Sequence, residues 1–479
     1  MKRILLAVIL GAFLLLIANQ SAQAGEMDVL VNKLVEKGVL SPAEGQIILD
    51  ETKVQVSKDL ATQSSYSVPE WTQRIKASGD IRFRTQYDSG KSNTTTNGTA
   101  NNGILDQRWR ERVRARIGLE GKVNDFTYAG VRLMGGQTAS NTGNDTLGGG
   151  AFGYFSKYPV EWDQYWIRFE APQDIVKHYG QYFNDAKIWL GKFANPFETT
   201  DLVWDNNINP GGAAFQVVGP DVKLGPLPSF NVYSNGGEFV LDESASINTD
   251  PMLFAIQVGA KTVPFGPFDS TFNVAGAVYN FENLKNKTPL ANTAGTNSRV
   301  WNGDLSGVTG SILGSYKYEY DVLDLLFTID NGKFLDWNLS NGLYIDLIRN
   351  PAAVENSGML FGGYLGKKKP KEKNDWKIRA EYRYLERDAL PDFMTDNDWY
   401  GFGTQTSTIA GVVNGIGTQN NNGYPAQNGT NGKGIVLASE YMIFKNTSLN
   451  LKYSWMEPIK SDNKTDPWNE FMFDVLTKF

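Results

Sequence analysis

Arginine occupies every second position from Arg108 to Arg116, and most of the positions between them are apolar. Because side chains alternate between the two faces of a β-strand, this pattern predicts one face covered by guanidinium groups and an opposite face carrying Trp109 and Ile117. Glu111 is the exception on the apolar face. Such a strand fits a sheet with water on one side, which both soluble sandwiches and membrane barrels contain. The number of strands and the pattern of turns decide between the two.

Alternation with a period of two continues from Arg74 toward the end of the chain. We predict about sixteen strands, at residues 74–87, 107–120, 126–134, 161–170, 185–193, 214–223, 229–235, 251–263, 269–281, 307–319, 322–330, 357–366, 375–386, 435–444, 448–456 and 469–479. Short connections, such as 121–125 and 445–447, alternate along the chain with long ones that are rich in Asn, Thr and Gly. The long connections are 88–106, 135–160, 194–213, 282–306, 331–356 and 387–434. Short turns at one end and long loops at the other are typical of outer-membrane barrels.

Hydropathy is consistent with crossing a membrane by strands. Every backbone N–H and C=O in hydrocarbon must be paired within the protein, which only helices and closed barrels achieve. The one long apolar run is at the N-terminus, and the mean hydropathy of the chain is −0.35. Tilted strands cross with ~9–11 residues, close to the lengths of the predicted segments. The sequence therefore predicts an all-β fold, a transmembrane antiparallel β-barrel of about sixteen strands.

The N-terminal region has a different pattern. Lys2 and Arg3 precede an apolar run that ends before Ala22-Gln23-Ala24, which predicts a signal peptide over residues 1–24 that is cleaved on export. Residues 25–70 are predicted to form a short helical periplasmic segment and linker, with a capping box at Ser41–Glu44. The barrel is predicted over 71–479, in the outer membrane of a Gram-negative bacterium.

Basic residues in the strands are the candidate functional residues. A barrel of about sixteen strands encloses water, and an arginine facing mid-bilayer lipid costs ~2–4 kcal/mol, so we expect these side chains to line the pore. They are Arg82, Arg84, Arg108, Arg110, Arg112, Arg114, Arg116, Arg132, Arg168, Arg379 and Arg383. Their charge would favour anions. The alternative is that they only solvate and stiffen the wall.

The third long loop is a candidate constriction, since it carries Glu198, Asp201 and Asp205. Folded into the lumen, these acids would face the arginines and create a transverse field that raises the barrier for apolar solutes. An ordinary surface loop is the alternative. At the C-terminus, Phe471, Phe473 and Val475 alternate toward Phe479. This resembles the signature that the barrel-assembly machinery reads in outer-membrane barrels, with Phe479 as the assembly signal.

Several segments together resemble a "putative porin" family of Gram-negative bacteria. They are Met27–Leu34, Glu36–Leu40, Gly79–Arg84 and the basic strand Arg108–Gly118. The resemblance implies an outer-membrane barrel with pore activity over the mature chain and supplies no catalytic residues. We therefore predict a passive channel for small polar solutes or anions, in contact with outer-membrane lipid. The sequence leaves open whether the protein forms a homotrimer.

Three other functions were weighed. A barrel that sheathes a multihaem cytochrome would share these strands. An enzyme would need a general base, and His178 is the one histidine. A soluble β-sandwich would also alternate. The chain contains no cysteine, which excludes disulfides and thiolate metal sites. We predict no enzyme activity, catalytic residue, metal, cofactor or nucleic-acid partner.

Overall fold

The computed structural model describes two compact units, Met1–Ile75 and Lys76–Phe479. The residues described are 31, 33–37, 41, 44–46, 48–51, 74–96, 99–136, 143–149, 153–243, 249–287, 296–300, 315–334, 339–402, 425–427, 429–460 and 467–479. The predicted signal peptide lies outside them.

The described part of the first unit is helical, at residues 33–36, 44–46 and 48–51. Ser41 and Glu44 form the hydrogen bonds of a capping box. The Ser41 backbone N–H donates to the Glu44 carboxylate at 2.9 Å, and the Glu44 N–H donates to Ser41 Oγ at 3.3 Å. These bonds satisfy backbone donors at the start of the second helical segment. The Ser41 hydroxyl also donates to the Glu44 carboxylate at 2.7 Å. This bond, together with the one from the Ser41 N–H, lowers the pKa of Glu44 because both favour its charged form.

Sixteen strands make up the main sheet of the second unit in its described residues. They are β1 (Ile75–Thr96), β2 (Thr99–Lys122), β3 (Thr127–Gly135), β4 (Val160–Glu170), β5 (Asp185–Lys192), β6 (Gly211–Val222), β7 (Phe230–Val240), β8 (Met252–Thr262), β9 (Ser270–Glu282), β10 (Tyr320–Phe334), β11 (Leu339–Arg349), β12 (Ser357–Gly366), β13 (Trp376–Leu385), β14 (Gly432–Phe444), β15 (Thr447–Pro458) and β16 (Trp468–Lys478). A two-residue strand, Asp145–Thr146, adds to β2.

The sheet closes on itself. Each strand pairs with the next, and β16 pairs antiparallel with β1 in a register that sets Tyr87 opposite Phe471. Gly79 and Phe479 exchange backbone hydrogen bonds of 2.9 and 3.0 Å at the end of this seam. The protein is therefore a closed antiparallel β-barrel of sixteen strands, as the sequence predicted.

The two faces of the sheet differ in chemistry. On β10, Leu323, Leu325 and Phe327 are exposed, whereas the alternate residues Asp324 and Leu326 are buried. The same alternation recurs around the ring, so the outer face is a continuous apolar surface that would be unfavourable in water and suits lipid. Among the described residues, no helix combines the length and apolar character needed to cross a membrane.

Glu111, the exception in the alternation of β2, lies on the outer face. Its carboxylate accepts a hydrogen bond from the Thr85 hydroxyl on β1 at 2.8 Å. The neighbouring strand thus supplies a partner for the one charged side chain that interrupts this apolar stripe.

Three predictions about the strands were wrong. The predicted strand 307–319 is not in the barrel sheet in its described residues, where Ser315–Tyr316 pairs only with Arg299–Val300; residues 307–314 lie outside the described part. β11 instead occupies the middle of the predicted loop 331–356. These errors compensate in the strand count. The predicted loop 88–106 is also largely strand, because β1 continues to Thr96 and β2 begins at Thr99.

The long connection 171–184, which lies at the end of the barrel with the short turns, contains the helix Gln173–Tyr179. This helix carries His178, whose ring makes an edge contact with Tyr179 at 4.6 Å between centroids. No residue of the helix is buried.

Candidate functional site

The connection between β5 and β6, residues 193–210, folds into the barrel and is called the first inner segment. It contacts strands that are far apart on the ring. Its polar contacts with the wall are Glu198 with Gln257 of β8 (3.0 and 2.8 Å), Thr200 with Asp346 of β11, Asp201 with Arg379 and Arg383 of β13 (3.2 Å each), and Asn209 with Asp163 of β4 (2.6 Å). One loop can contact all of these strands only by crossing the lumen.

Aromatic packing anchors this segment. Phe197 lies 5.5 Å from Tyr279 and 6.1 Å from Phe239, which project from β9 and β7, and 5.8 Å from Trp204 of the same segment. All four side chains are buried. The Asn195 side chain accepts the Phe197 N–H at 2.9 Å, the Asx turn that starts the inward bend. Burial of each large side chain contributes about 1.5–3 kcal/mol, which favours the inward position of the loop.

A second long connection also turns inward. Residues 386–402, called the second inner segment, follow β13. Asp398 accepts two hydrogen bonds of 2.9 Å from Arg84 on β1, and Asp388 accepts the Tyr320 hydroxyl of β10 at 3.2 Å. β1 and β10 are distant on the ring, so this segment too spans the interior.

The two inner segments meet. The backbone N–H of Asp205 donates to the Met394 carbonyl at 3.1 Å, and the Asn397 N–H donates to Asp205 Oδ2 at 2.9 Å. Arg383 connects both segments, since it reaches Asp201 at 3.2 Å and Asp396 at 2.7 Å. We call this meeting point the junction. It narrows the lumen from two sides.

The junction perturbs two carboxyl groups in opposite directions. Burial, and repulsion from Asp396, raise the pKa of Asp205 to about 8, although the N–H groups of Asn207 and Asn397 oppose the shift. Asp398 is also buried, which alone would raise its pKa. The charges of Arg84 and Lys452 outweigh burial and hold the pKa of Asp398 well below its usual range.

The predicted arginines of β1 and β2 form one group on the inner face, called the basic wall. Their ion pairs are Arg82–Asp474 (3.6 Å), Arg84–Asp474 (2.7 Å), Arg84–Asp398 (2.9 Å), Arg110–Asp88, Arg114–Asp80 (2.9 Å) and Arg116–Asp80 (2.7 Å). Arg112 forms no ion pair with any described residue and donates to Gln86 at 3.0 Å. The structure therefore brings six of the predicted arginines together.

The other predicted basic residues are distributed differently. Arg108 is exposed and lies outside the basic wall. Arg132 pairs with Asp163, and Arg168 pairs with Glu120 at 3.0 Å. Arg379 and Arg383 contact Asp201 of the first inner segment, and Arg132 donates to its Asn209 at 3.4 Å.

Of the predicted constriction acids, Asp201 contacts arginines. Glu198 bonds the wall through its backbone, and its side chain is exposed. Asp205 lies at the junction and bonds backbone amides instead of an arginine.

Sequence reasoning missed the acids that pair with the arginines. Asp80 and Asp88 alternate with Arg82 and Arg84 on the same face of β1, so the period of two could have found them. Asp396 and Asp398 carried no comparable signal, because nothing local shows that their loop turns inward.

The comparisons with known proteins agree with this architecture. The model of a family described as "Putative porin" matches residues 46–307 and 346–419. Among solved structures, the high-pH structure of OprB from Pseudomonas putida is 10% identical with a TM-score of 0.47, over 85% of this chain and 95% of that one. The outer-membrane channel DcaP of Acinetobacter baumannii is 10% identical, with a TM-score of 0.39 over 85% and 97%.

An anion-selective porin from Comamonas acidovorans is also 10% identical, with a TM-score of 0.39 over 85% of this chain and 99% of that one. A comparison with curated proteins found no match. The family model matches well over half of the chain, and the fold is the outer-membrane barrel that such a family requires. The chain belongs to the "Putative porin" family.

Proposed function

We propose that this barrel is a passive channel for small polar solutes across the outer membrane and that it prefers anions. The observation that carries the proposal is a charged inner wall facing two inner segments that meet across the lumen. A sixteen-stranded barrel is wide enough to hold water, and the inner segments would set its narrowest point.

The charge count of the basic wall supports an anion preference. Six arginines on β1 and β2 stand against four carboxylates within ion-pair distance among the described residues, namely Asp80, Asp88, Asp398 and Asp474. Glu470 is also near, hydrogen-bonded to Gln86. Six arginines against five carboxylates leave these described residues with a small excess of positive charge.

The junction carries carboxylates of its own, those of Asp201, Glu381 and Asp396. They face Arg379 and Arg383, and Lys452 pairs with Asp396 at 3.7 Å, so the charges of these described residues balance. Closely spaced charges of both signs on the basic wall and at the junction would produce a strong local field in the lumen. Ordered water in such a field would disfavour apolar solutes, which supports a channel for polar ones.

The inner segments favour a channel over a sheath for a multihaem cytochrome. A protein threaded through the barrel would need the space that Trp204 and the aromatic residues around it occupy. No catalytic role is assigned to His178, which lies on a surface helix outside the strands.

Export and assembly form part of the proposal. The charged start, apolar run and Ala22-Gln23-Ala24 support cleavage before Gly25. N-terminal sequencing of the protein purified from outer membranes should begin at Gly25, whereas a start at Met1 would show an uncleaved anchor. The same proposal divides the mature chain between residues 70 and 71, into a helical periplasmic segment with its linker and the barrel.

Reconstitution in a planar bilayer tests the channel. In a KCl gradient we expect stepwise currents, with a reversal potential whose sign shows that chloride is more permeant than potassium. Simultaneous Arg110→Gln, Arg112→Gln and Arg114→Gln changes should move that potential toward the cation side. Arg349→Gln is the matched control, since Arg349 is exposed at the end of β11. Cation preference in the unmodified protein would refute the anion preference, and absence of currents would refute the channel.

A further inference from the structure

Arg112 differs from the arginines around it in having no carboxylate partner among the residues that the structure describes. Its side chain lies in the middle of the basic wall and is 5% exposed. One hydrogen bond holds it, from Nη1 to the Gln86 amide oxygen at 3.0 Å, and its Nε has no hydrogen-bond partner. Arg84, Arg110 and Arg114 on the same wall each have a carboxylate within 3 Å.

The surrounding carboxylates are engaged elsewhere or lie beyond ion-pair distance of Arg112. The Asp398 carboxylate accepts two hydrogen bonds from Arg84, and Glu470 accepts from Gln86. Asp145, on the short strand that pairs with β2 beside Arg112, is not within ion-pair distance of any described basic residue. Arg110 and Arg84 repel the Arg112 guanidinium, and Asp398 and Glu470 attract it without forming an ion pair.

An unpaired guanidinium in such a place is costly for the empty channel. Burial of a charge is unfavourable unless a counter-charge and hydrogen bonds replace the lost water. Arginine presents its N–H groups in a planar fork that matches two oxygens of one oxyanion. An anion with two such oxygens would supply both the missing charge and two acceptors that match the fork, whereas chloride is a single spherical acceptor and cannot match it.

We propose that Arg112 is a specificity-determining residue of the channel and binds small oxyanions of the carboxylate or phosphate type as they pass the basic wall. This inference rests on the proposed channel function and goes beyond a general preference for anions. Binding by the fork of Arg112 would give oxyanions a longer residence time than chloride, so that they compete with the chloride current.

Inorganic phosphate is the probe. Single-channel chloride current is measured in KCl at constant ionic strength, with increasing phosphate or acetate as two separate series. In the unmodified protein we expect phosphate to reduce the chloride current in a saturable manner. Both series test the same chemistry and show whether the site prefers the phosphate or the carboxylate group.

Two variants separate the fork from the charge. Arg112→Lys keeps the positive charge and should weaken the phosphate block by about tenfold or more, since an ammonium cannot form the bidentate pair. Arg112→Gln should abolish the block. In Arg349→Gln, phosphate should reduce the chloride current as it does in the unmodified protein. Heat-dependent gel migration of each variant confirms that the barrel has folded.

The outcomes distinguish this inference from the channel itself. Equal phosphate block in the unmodified protein and in Arg112→Lys would overturn the role of the fork, even with anion preference intact. Absence of any block in the unmodified protein would overturn it as well. The reversal potential in KCl alone still reports on the proposed function in either case.

Discussion

Asn397 donates its backbone N–H to the carboxyl group of Asp205 at 2.9 Å, and this bond joins the two inner segments of the barrel. The two residues are 192 positions apart in the chain. Neither segment is held by the wall alone, so a change at this contact should be transmitted to both sides of the constriction.

The junction should loosen as pH rises. Asp205 has a pKa raised to about 8, because it is buried beside Asp396. When the segments separate, its pKa would return to about 3.9. A raised pKa means that the closed contact is fully stable below the lower value and loses stability as pH rises through the higher one. We expect channel conductance to increase between pH 6 and 9 in bilayer recordings.

Asp205→Asn provides the control for this prediction. The amide keeps an oxygen for the Asn397 N–H and cannot ionise. Its conductance should therefore be nearly independent of pH over the same range. An unchanged pH response in Asp205→Asn would assign the effect to another group.

Removal of Arg383 should destabilise the barrel. The guanidinium is buried and bonds Asp201, Glu381 and Asp396. Arg383→Gln would remove the counter-charge that these three carboxylates share and leave them only Arg379 and Lys452. Loss of one partner of a buried ion pair costs about 3–5 kcal/mol. We expect a lower temperature for the gel shift that reports barrel unfolding. Lys333→Gln removes an exposed pair with Asp269 and should change little. Equal midpoints for both variants would contradict the role of Arg383.

Truncation of Phe197 should release the first inner segment. Its ring packs against Phe239, Tyr279 and Trp204, and Phe→Ala in such a site costs about 3–5 kcal/mol. We expect larger and noisier single-channel conductance in Phe197→Ala. Phe361→Ala is the comparison, because that ring is exposed on the outer face of β12. Similar conductance in both variants would show that the ring does not hold the loop.

Phe479 should matter for assembly more than for stability. Its side chain is exposed on one side, its ring lies over Gly79, and the two residues exchange backbone hydrogen bonds that do not need the ring. Phe479→Ala should therefore reduce the amount of folded barrel in outer membranes, whereas the purified variant refolded in detergent should unfold at nearly the unmodified temperature. A large loss of stability in detergent would indicate that the ring has a structural role instead.

Much of the fold could be predicted because successive residues of a barrel strand face the lumen and the lipid in turn, and this alternation is visible in the sequence. The Arg108–Arg116 alternation requires a wet face and an apolar face whatever its neighbours are. β11 was missed for the opposite reason, since Ser340, Asn341 and Gly342 at its start are residues typical of turns. Pairing with β10 and β12 determines its conformation, and single-sequence patterns do not contain that information.

The site was less predictable than the fold. Alternation identified the arginines but not their partners across the lumen. Arg84 and Asp398 are separated by 314 positions, and only the path of the second inner segment brings them together. The position of the first inner segment as the third long loop was a usable signal, whereas the inward turn of residues 386–402 depends on buried contacts such as Asp388 with Tyr320.

The seam between β1 and β16 has a consequence for biogenesis. Because the first and last strands of the ring are neighbours, both keep an open hydrogen-bonding edge until the whole chain has been delivered. Two such edges invite pairing with other chains during the delay. The newly exported polypeptide must therefore be shielded until the final strand arrives. A chain truncated shortly before β16 would aggregate instead of forming a smaller pore.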